Sequence, residues 1–328
     1  SIVAGKSVAM DYGDGAGMNL LNLAAGDWDD GLLEATAPEL REKLPPVQPS
    51  ATVAGKVSRY FVENYGLSAD CEVVLFSGDN PCSLVGMGAA TPGKVVISLG
   101  TSDTLFAAMP EPRTDPNGYG HVFGNPMGGF MSLICFLNGS LARERVKDDL
   151  GLDWSAFEKE ALVSTPPGNE GCMMLPFFGP EITPRVESSD AVYLGWPDGE
   201  RDPAAVVRAV LEGQFLNMKV HSRWLGVEPQ TISLTGGASR NDGIAQTVAN
   251  VFGVPVSRLS VAGSAALGAA MRAAQAACGV DLARLEDAYC QPEAGSTVNP
   301  EEGVREIYDD LEQKWVSALH DTFSLPKS

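Results

Sequence analysis

The sequence has little positive charge to offer a polyanion: 23 Lys and Arg stand against 42 Asp and Glu, a net charge of −19. A surface that acidic repels phosphate backbones and anionic headgroups, which argues against nucleic acid and membrane as partners. It leaves a single nucleotide open, because backbone N–H groups and helix N-termini bind phosphate without a basic surface. No apolar run of about 18 residues occurs, so no membrane-spanning helix is expected. Histidine is scarce; His121, His221 and His320 share no metal-ligand spacing, which speaks against a histidine zinc site. The six cysteines (Cys71, Cys82, Cys135, Cys172, Cys278, Cys290) lie far apart without a C-x-x-C pair. That is the pattern of reduced thiols in a cytoplasmic protein, mostly filling its core. G-x-G-x-x-G, G-x-x-x-x-G-K-[ST] and the G-x-S-x-G elbow are missing too, so Rossmann, P-loop and α/β-hydrolase sites lack support. The opening S-I-V-A-G-K has no initiator Met and is expected to lie inside a longer chain, so the lack of a signal peptide carries no information.

What is present is an ordinary globular balance, 44% hydrophobic and 20% charged over 328 residues, enough for one large or two ordinary domains. Residues 11–36 carry Gly13, Gly15, Gly17 and Gly26 and predict turns and short strands. From Val53 to Tyr65, the positions Val57, Phe61 and Tyr65 predict one face of an amphipathic helix ended by Gly66. Cys71 to Phe76 predicts a buried strand. It runs through Ser77-Gly78-Asp79-Asn80-Pro81 into a helix ending near Met87, with Pro81 in the first turn and Asp79 or Asn80 as cap. After a turn at Thr91-Pro92-Gly93, Lys94 to Leu99 and Thr104 to Ala108 predict a strand pair, Gly120 to Phe136 more short strands, and Asn138 to Leu150 a helix. Residues 164–203 predict a long irregular excursion with one or two short strands. Beyond it helices are expected at Ala204–Leu225, Asp242–Phe252, Ser264–Cys278 and Glu301–Leu319, and strands at Thr231–Thr235 and Val254–Leu259. Strands first, then strand–helix pairs, indicate a layered α/β domain.

Three glycine-bearing turns follow apolar strands. In F-S-G-D-N-P (Phe76 to Pro81) the acid Asp79 stands at a strand's end beside a helix N-terminus, where it either caps the helix or accepts a hydroxyl proton during phosphoryl transfer. In L-G-T-S-D-T (Leu99 to Thr104), Gly100 lets a ligand approach, and Thr101 and Ser102 offer N–H and hydroxyl groups to phosphate; a plain hairpin turn uses the same residues. In L-T-G-G-A-S-R-N (Leu234 to Asn241), Gly236 and Gly237 permit either close nucleotide approach or a tight strand-to-helix loop. An acid followed by two phosphate-compatible turns is the layout that a kinase with ATP in a cleft requires.

F-S-G-D-N, S-L-G-T-S and T-G-G-A-S-R-N together resemble the FGGY carbohydrate kinases, most of all their animal-type xylulose-kinase branch. The resemblance extends to D-Y-G-D-G-A-G-M-N-L-L (Asp11 to Leu21), S-G-D-N-P-C-S-L-V-G-M (Ser77 to Met87), F-L-N-G-S-L-A-R-E (Phe136 to Glu144) and A-V-L-E-G-Q-F (Ala209 to Phe215). It implies an actin-like ATPase (ribonuclease-H-like) fold. Residues 1–90 would be the end of a sugar-binding N-terminal domain and residues 91–328 an ATP-binding C-terminal domain. The missing N-terminal half, with its D-x-G-T phosphate loop, would be a partner this chain needs for activity. The implied reaction is ATP-dependent phosphorylation of a ketopentose, D-xylulose at O5, with Mg²⁺ on the β- and γ-phosphates. By the same resemblance Asp79 is the base toward the sugar hydroxyl and Asn80 a sugar contact. Gly100, Thr101 and Ser102 face the phosphates, Gly236 and Gly237 lie against the nucleotide, and Asn241 sits near its base or ribose. Trp154, in L-D-W-S-A-F, borders the nucleotide by resemblance, or is a half-buried amphipathic residue on its own chemistry. A ribulose or glycerol kinase of the same family and a non-catalytic actin-like ATP-binding module are the alternatives; a binding module has no need of Asp79-Asn80. One stretch departs from the family: Phe178 to Arg185 reads F-G-P-E-I-T-P-R where many bacterial members have G-E-R-x-P.

Overall fold

Strand periodicity sets the centre of the molecule. Along Lys94–Leu99, Val95, Ile97 and Leu99 turn to one face and Val96 to the other, the two-residue repeat of a strand. Both faces are covered, so the strand reads as a nearly continuous apolar run. The chain turns at Gly100–Ser102 and returns antiparallel as Asp103–Met109, with Ile97 opposite Leu105. Phe130–Phe136 and His121–Gly124 extend this side antiparallel. On the other side Thr231–Thr235 pairs parallel with Lys94–Leu99, Thr235 opposite Ser98, and Val256–Arg258 pairs parallel with Thr231–Thr235. The result is one mixed six-stranded sheet. The structure is a computed structural model that describes residues 1–187, 190–196, 199–259 and 263–325.

Helices cover both faces of the sheet. On one side lie Pro203–His221, Asp242–Phe252 and Val304–Phe323, which bury Val207, Val210, Phe215, Ile244, Val248, Tyr308 and Trp315 against Val95, Ile97 and Leu99. The first of these starts at Pro203 with the Asp202 carboxylate accepting from the Ala205 N–H, a cap followed by a pre-set first turn. On the other side Leu84, in the helix Asp79–Gly86, packs with Met87 and Ala89 on Val96, Phe106, Ala108, Met131 and Leu133. The Ala-rich helix Ser264–Cys278 lies directly on it. A Cβ at Gly268 would overlap the Cys82 carbonyl, and one at Gly86 the Ser264 carbonyl, so the two backbones touch. This is the close packing that small residues permit.

The first unit departs most from expectation. Residues 11–36 hold two helices, Tyr12–Gly17 and Asp30–Thr36, besides the short strands Leu21–Asn22 and Asp27–Trp28. Asp11 makes the first helix possible in spite of its glycines, accepting from the N–H groups of Gly13 (3.1 Å) and Asp14 (2.8 Å). Val53–Lys56 is a strand paired with Glu72–Val74, so the helix expected from Val53 is only Arg59–Tyr65, ended as expected by Gly66 in the left-handed region. Among the described residues, 164–203 hold four short strands where one or two are expected, Met173–Leu175, Glu181–Ile182, Arg185–Val186 and Val192–Leu194. Residues 188–189 and 197–198 of that excursion lie outside the described residues. The last helix is Val304–Phe323, later than Glu301–Leu319. Cysteine fills the core only in part: Cys82 is buried, but Cys71 and Cys278 are exposed. Among the described residues no helix is long and apolar enough to cross a membrane.

Candidate functional site

Two of the glycine turns emerge side by side. Lys94–Leu99 and Thr231–Thr235 are adjacent and parallel, so Gly100–Ser102 and Gly236–Gly237 leave the sheet at neighbouring carboxyl ends, where open α/β sheets bind ligands. Gly236 has φ +89°, and a Cβ there would collide with the Leu99 carbonyl. Glycine is therefore required for the second turn to press against the strand that carries the first. Thr101 and Ser102 are exposed on the turn between Leu99 and Asp103.

Beyond the second turn lies a cavity of about 550 Å³ lined by Ser140, Trp154, Ser155, Glu158, Gly237, Ala238, Arg240, Asn241 and Ile244. Three residues singled out in the sequence, Trp154, Gly237 and Asn241, thus share one cavity. Trp154 opens the helix Trp154–Leu162, is 46% exposed, and stands edge-on to the fully buried Phe157 with ring centroids 5.5 Å apart. The Lys147 ammonium lies over the indole, 5.5 Å from the ring centroid, so the ring is held by Phe157 and Lys147 and is half-exposed at the cavity. Asn241 caps the helix Asp242–Phe252, its Oδ1 accepting from the Ile244 N–H at 3.0 Å, so its side chain is already engaged by the fold. The apolar wall with a few polar groups at its rim suits a flat heterocycle.

Asp79 and Asn80 do not line this cavity. They are exposed at the first turn of the Asp79–Gly86 helix. The helix cap is Gly78, not Asp79 or Asn80: Asp79 is the first helical residue and its Oδ1 accepts from the N–H of Asn80 at 2.8 Å. The capping explanation for Asp79 falls with that observation. Two further acids stand nearby. The Asp14 carboxylate lies beside Gly78, and Asp11 is 2% exposed. Burial pushes the Asp11 carboxyl up from its ordinary range, against the pull of the Asp14 N–H, the Ser77 hydroxyl and the Gly13 N–H.

Sequence reasoning missed the layer beneath the Gly100–Ser102 turn. Arg143 and Asp103, both wholly buried, form a two-pronged ion pair at 2.8 and 2.9 Å. Arg143 also donates to Gln214 Oε1 (3.0 Å) and Ser140 Oγ (2.9 Å). Gln214 donates to the carbonyls of Asn138 (2.6 Å) and Gly139 (2.9 Å). Burial raises the Asp103 carboxyl, opposed by the Arg143 charge and hydrogen bonds and by the Gly100 N–H. Glu181, in the stretch that departs from G-E-R-x-P, is also buried and accepts from the N–H groups of Leu137 (2.8 Å) and Asn138 (2.9 Å). Its place is structural, under the same loop.

Known proteins are similar to this chain in sequence and in fold. The C-terminal domain of the FGGY family of carbohydrate kinases matches residues 95–277, and the N-terminal domain of that family matches residues 3–86. The chain is 40% identical over 321 residues to xylulose kinase of Rattus norvegicus, covering 95% of this chain and 59% of that protein. It is 38% identical over 292 residues to xylulose kinase 2 of Arabidopsis thaliana, covering 84% of this chain and 52% of that one. The chain therefore spans somewhat more than half the length of the curated relatives it matches. Ligand-bound xylulose kinase from Lactobacillus acidophilus superimposes with a TM-score of 0.83 at 22% identity, over 98% of this chain and 65% of that one, a likeness of fold.

Proposed function

The chain belongs to the FGGY family of carbohydrate kinases, with the actin-like ATPase fold of that family, and on this footing we propose that it forms the ATP-binding part of an enzyme phosphorylating a ketopentose, D-xylulose at O5. In this reading residues 1–90 close the sugar-binding domain and residues 91–328 form the ATP-binding domain. The observation that carries the nucleotide half is the pair of glycine turns at adjacent strand ends, the second of which lines, through Gly237, the cavity walled by Trp154. Gly100, Thr101 and Ser102 bind the phosphates, Gly236 and Gly237 lie against the nucleotide, and Asn241 and Trp154 border its base or ribose. The identity to xylulose kinases from rat and Arabidopsis supports D-xylulose ahead of ribulose or glycerol.

Asp79 is the general base. It is exposed, uncommitted to capping, and fixed in direction by the Asn80 N–H, and Asn80 beside it contacts the sugar. As the sugar oxygen attacks the γ-phosphorus, Asp79 accepts its proton; positioning dominates over base strength in such a transfer. Since Asp79 lies outside the Trp154 cavity, closure of one domain on the other brings sugar and phosphate together and excludes water. Among the described residues no group of three or more His, Cys, Asp or Glu side chains is arranged to hold a metal. A Mg²⁺ held mostly by phosphates and water needs only one or two carboxylates, for which Asp14, beside Gly78, would be the donor at hand while Asp79 stays free as the base. Mg²⁺ would offset charge on the β- and γ-phosphates. The six unpaired cysteines, spaced far apart, support a cytoplasmic enzyme.

The test is ADP release by the intact protein that carries this chain, with D-xylulose compared against D-ribulose, L-ribulose and glycerol. Preference for D-xylulose is expected, with Asp79→Ala lowering turnover roughly 10³-fold or more while ADP affinity stays within about twofold. Preference for another sugar overturns the substrate, near-normal turnover by Asp79→Ala overturns the base, and sugar-independent ATP consumption favours a binding module.

A further inference from the structure

We propose that Arg143 is a positioning residue for phosphate binding, locking the Gly100–Ser102 turn from below so that its N–H and hydroxyl groups are held in place before ATP arrives. The inference rests on the reading that this turn faces the phosphates.

Every exit from the turn leads to Arg143. The chain leaves the turn at Asp103, whose carboxylate Arg143 grips with two prongs. The Gly100 carbonyl accepts from the Ser140 N–H at 2.9 Å, and the Ser140 hydroxyl accepts from Arg143. The loop that delivers Ser140 is pressed onto the turn: a Cβ at Gly139 would come within 2.8 Å of the Thr101 carbonyl and 2.7 Å of the Asp103 N–H. That loop is fixed in turn by Gln214, which Arg143 orients through its Oε1. Four of the five guanidinium donors are spent in this way, and only Nε lacks a partner. A planar fork makes this set possible, and an ammonium group cannot reproduce it.

Stability alone does not account for the arrangement. An arginine and an aspartate with no exposure at all each carry a large desolvation cost, and an apolar pair of similar volume is commonly as stable or more so. What the ion pair adds is direction. Donors fixed before the ligand binds need no reorganisation, the condition under which backbone N–H groups stabilise a phosphoryl group most.

The experiment compares two nucleotides by calorimetry in the intact protein with Mg²⁺: the β,γ-imido analogue of ATP, which reports the phosphate grip, and AMP, which reports the base cavity. Two variants are used. Arg143→Lys keeps the charge and loses the fork. Asp103→Leu combined with Arg143→Met removes both charges together, leaving only the neutral Gln214 Oε1 and Ser140 Oγ without their arginine donor, and keeps the fold testable if the lysine variant does not fold. Both are expected to weaken the ATP analogue roughly tenfold or more while AMP changes by less than about twofold. An unchanged ratio of the two affinities, with only a lower melting temperature, overturns the positioning role. Thr101→Ala with Ser102→Ala separates this failure from failure of the turn itself. If that variant lowers the ratio and the Arg143 variants do not, positioning alone is wrong. If none of them moves it, the phosphate reading of the turn is wrong as well.

Discussion

A side chain at Gly236 would run into the Leu99 carbonyl from a φ of +89°, whereas a Cβ at Gly237 meets nothing within 4 Å and its backbone is unstrained. The two neighbours therefore separate fold from ligand. Gly236→Ala is expected to cost roughly 1–3 kcal/mol in urea unfolding. Gly237→Ala should leave stability within about 0.5 kcal/mol of the parent, so any loss of affinity there reads the nearness of nucleotide. We expect ADP binding by Gly237→Ala to weaken roughly tenfold or more; unchanged affinity would remove Gly237 from the nucleotide site. Residue types alone flagged these glycines and Asp79, because each is chemistry carried by one short stretch, whereas Trp154 stands out only through the family resemblance. Asp103, Arg143 and Gln214 could not be found that way. Arg143 is 40 residues from Asp103 and 71 from Gln214, and a buried arginine looks like a surface one until the sheet and the helix Pro203–His221 close over it.

The helices Asp79–Gly86 and Ser264–Cys278 meet through Gly86 and Gly268, with Ser83 and Ser264 hydroxyls 3.1 Å apart at the crossing. Adding one methyl at Gly268 forces backbone against backbone, since the obstructing atom is the Cys82 carbonyl. Gly268→Ala should thus destabilise by about 1–3 kcal/mol, the usual cost of overpacking. It should also lower kcat with ADP affinity unchanged, because the displaced helix carries Asp79 and not the Trp154 cavity. Equal loss of both would show the strain spreading through the sheet. Elements with a clean apolar period were legible to the residue: Thr231–Thr235, Asp242–Phe252 and Ser264–Cys278. Tyr12–Gly17 was not. Its glycines predict turns, and it is helical because Asp11 caps it and because Gly13 fits where a Cβ would strike the Ser77 hydroxyl, a tertiary effect that overrides propensity. Val53–Lys56 carries a helical spacing into Val57 but finds Glu72–Val74 to pair with, and pairing wins.

For the molecule as a whole, the pH dependence of stability is the sum of buried titrations that oppose each other. Glu212 is buried, accepting from the Tyr308 hydroxyl at 2.7 Å and the Gly168 N–H at 2.9 Å, with Arg208 at 3.5 Å. Burial nevertheless pushes its carboxyl up to about 7 from 4.5. The folded state then holds a proton that the unfolded state has released, so this group withdraws stability as pH rises from about 4.5 to 7. His221 is the reverse. Partly buried beside Tyr119, with Asp115 and His320 nearby, its imidazole is pushed down to about 4 from 6.5 by loss of solvent. The unfolded state takes the proton first, and stability is lost as pH falls from about 6.5 to 4. Between pH 4.5 and 6.5 the two slopes have opposite signs and offset each other in the parent, where the raised carboxyls of Asp11 and Asp103 add to the Glu212 side. Difference curves resolve them, because groups common to both proteins cancel. Relative to the parent, Glu212→Gln should gain melting temperature as pH rises through 4.5–7 and then level off, while His221→Asn should gain as pH falls through 6.5–4. A flat difference for Glu212→Gln would mean that Arg208 holds the carboxylate charged throughout, and that the buried cluster of Glu212, Arg208 and Tyr308 is ionic at every pH at which the protein is folded.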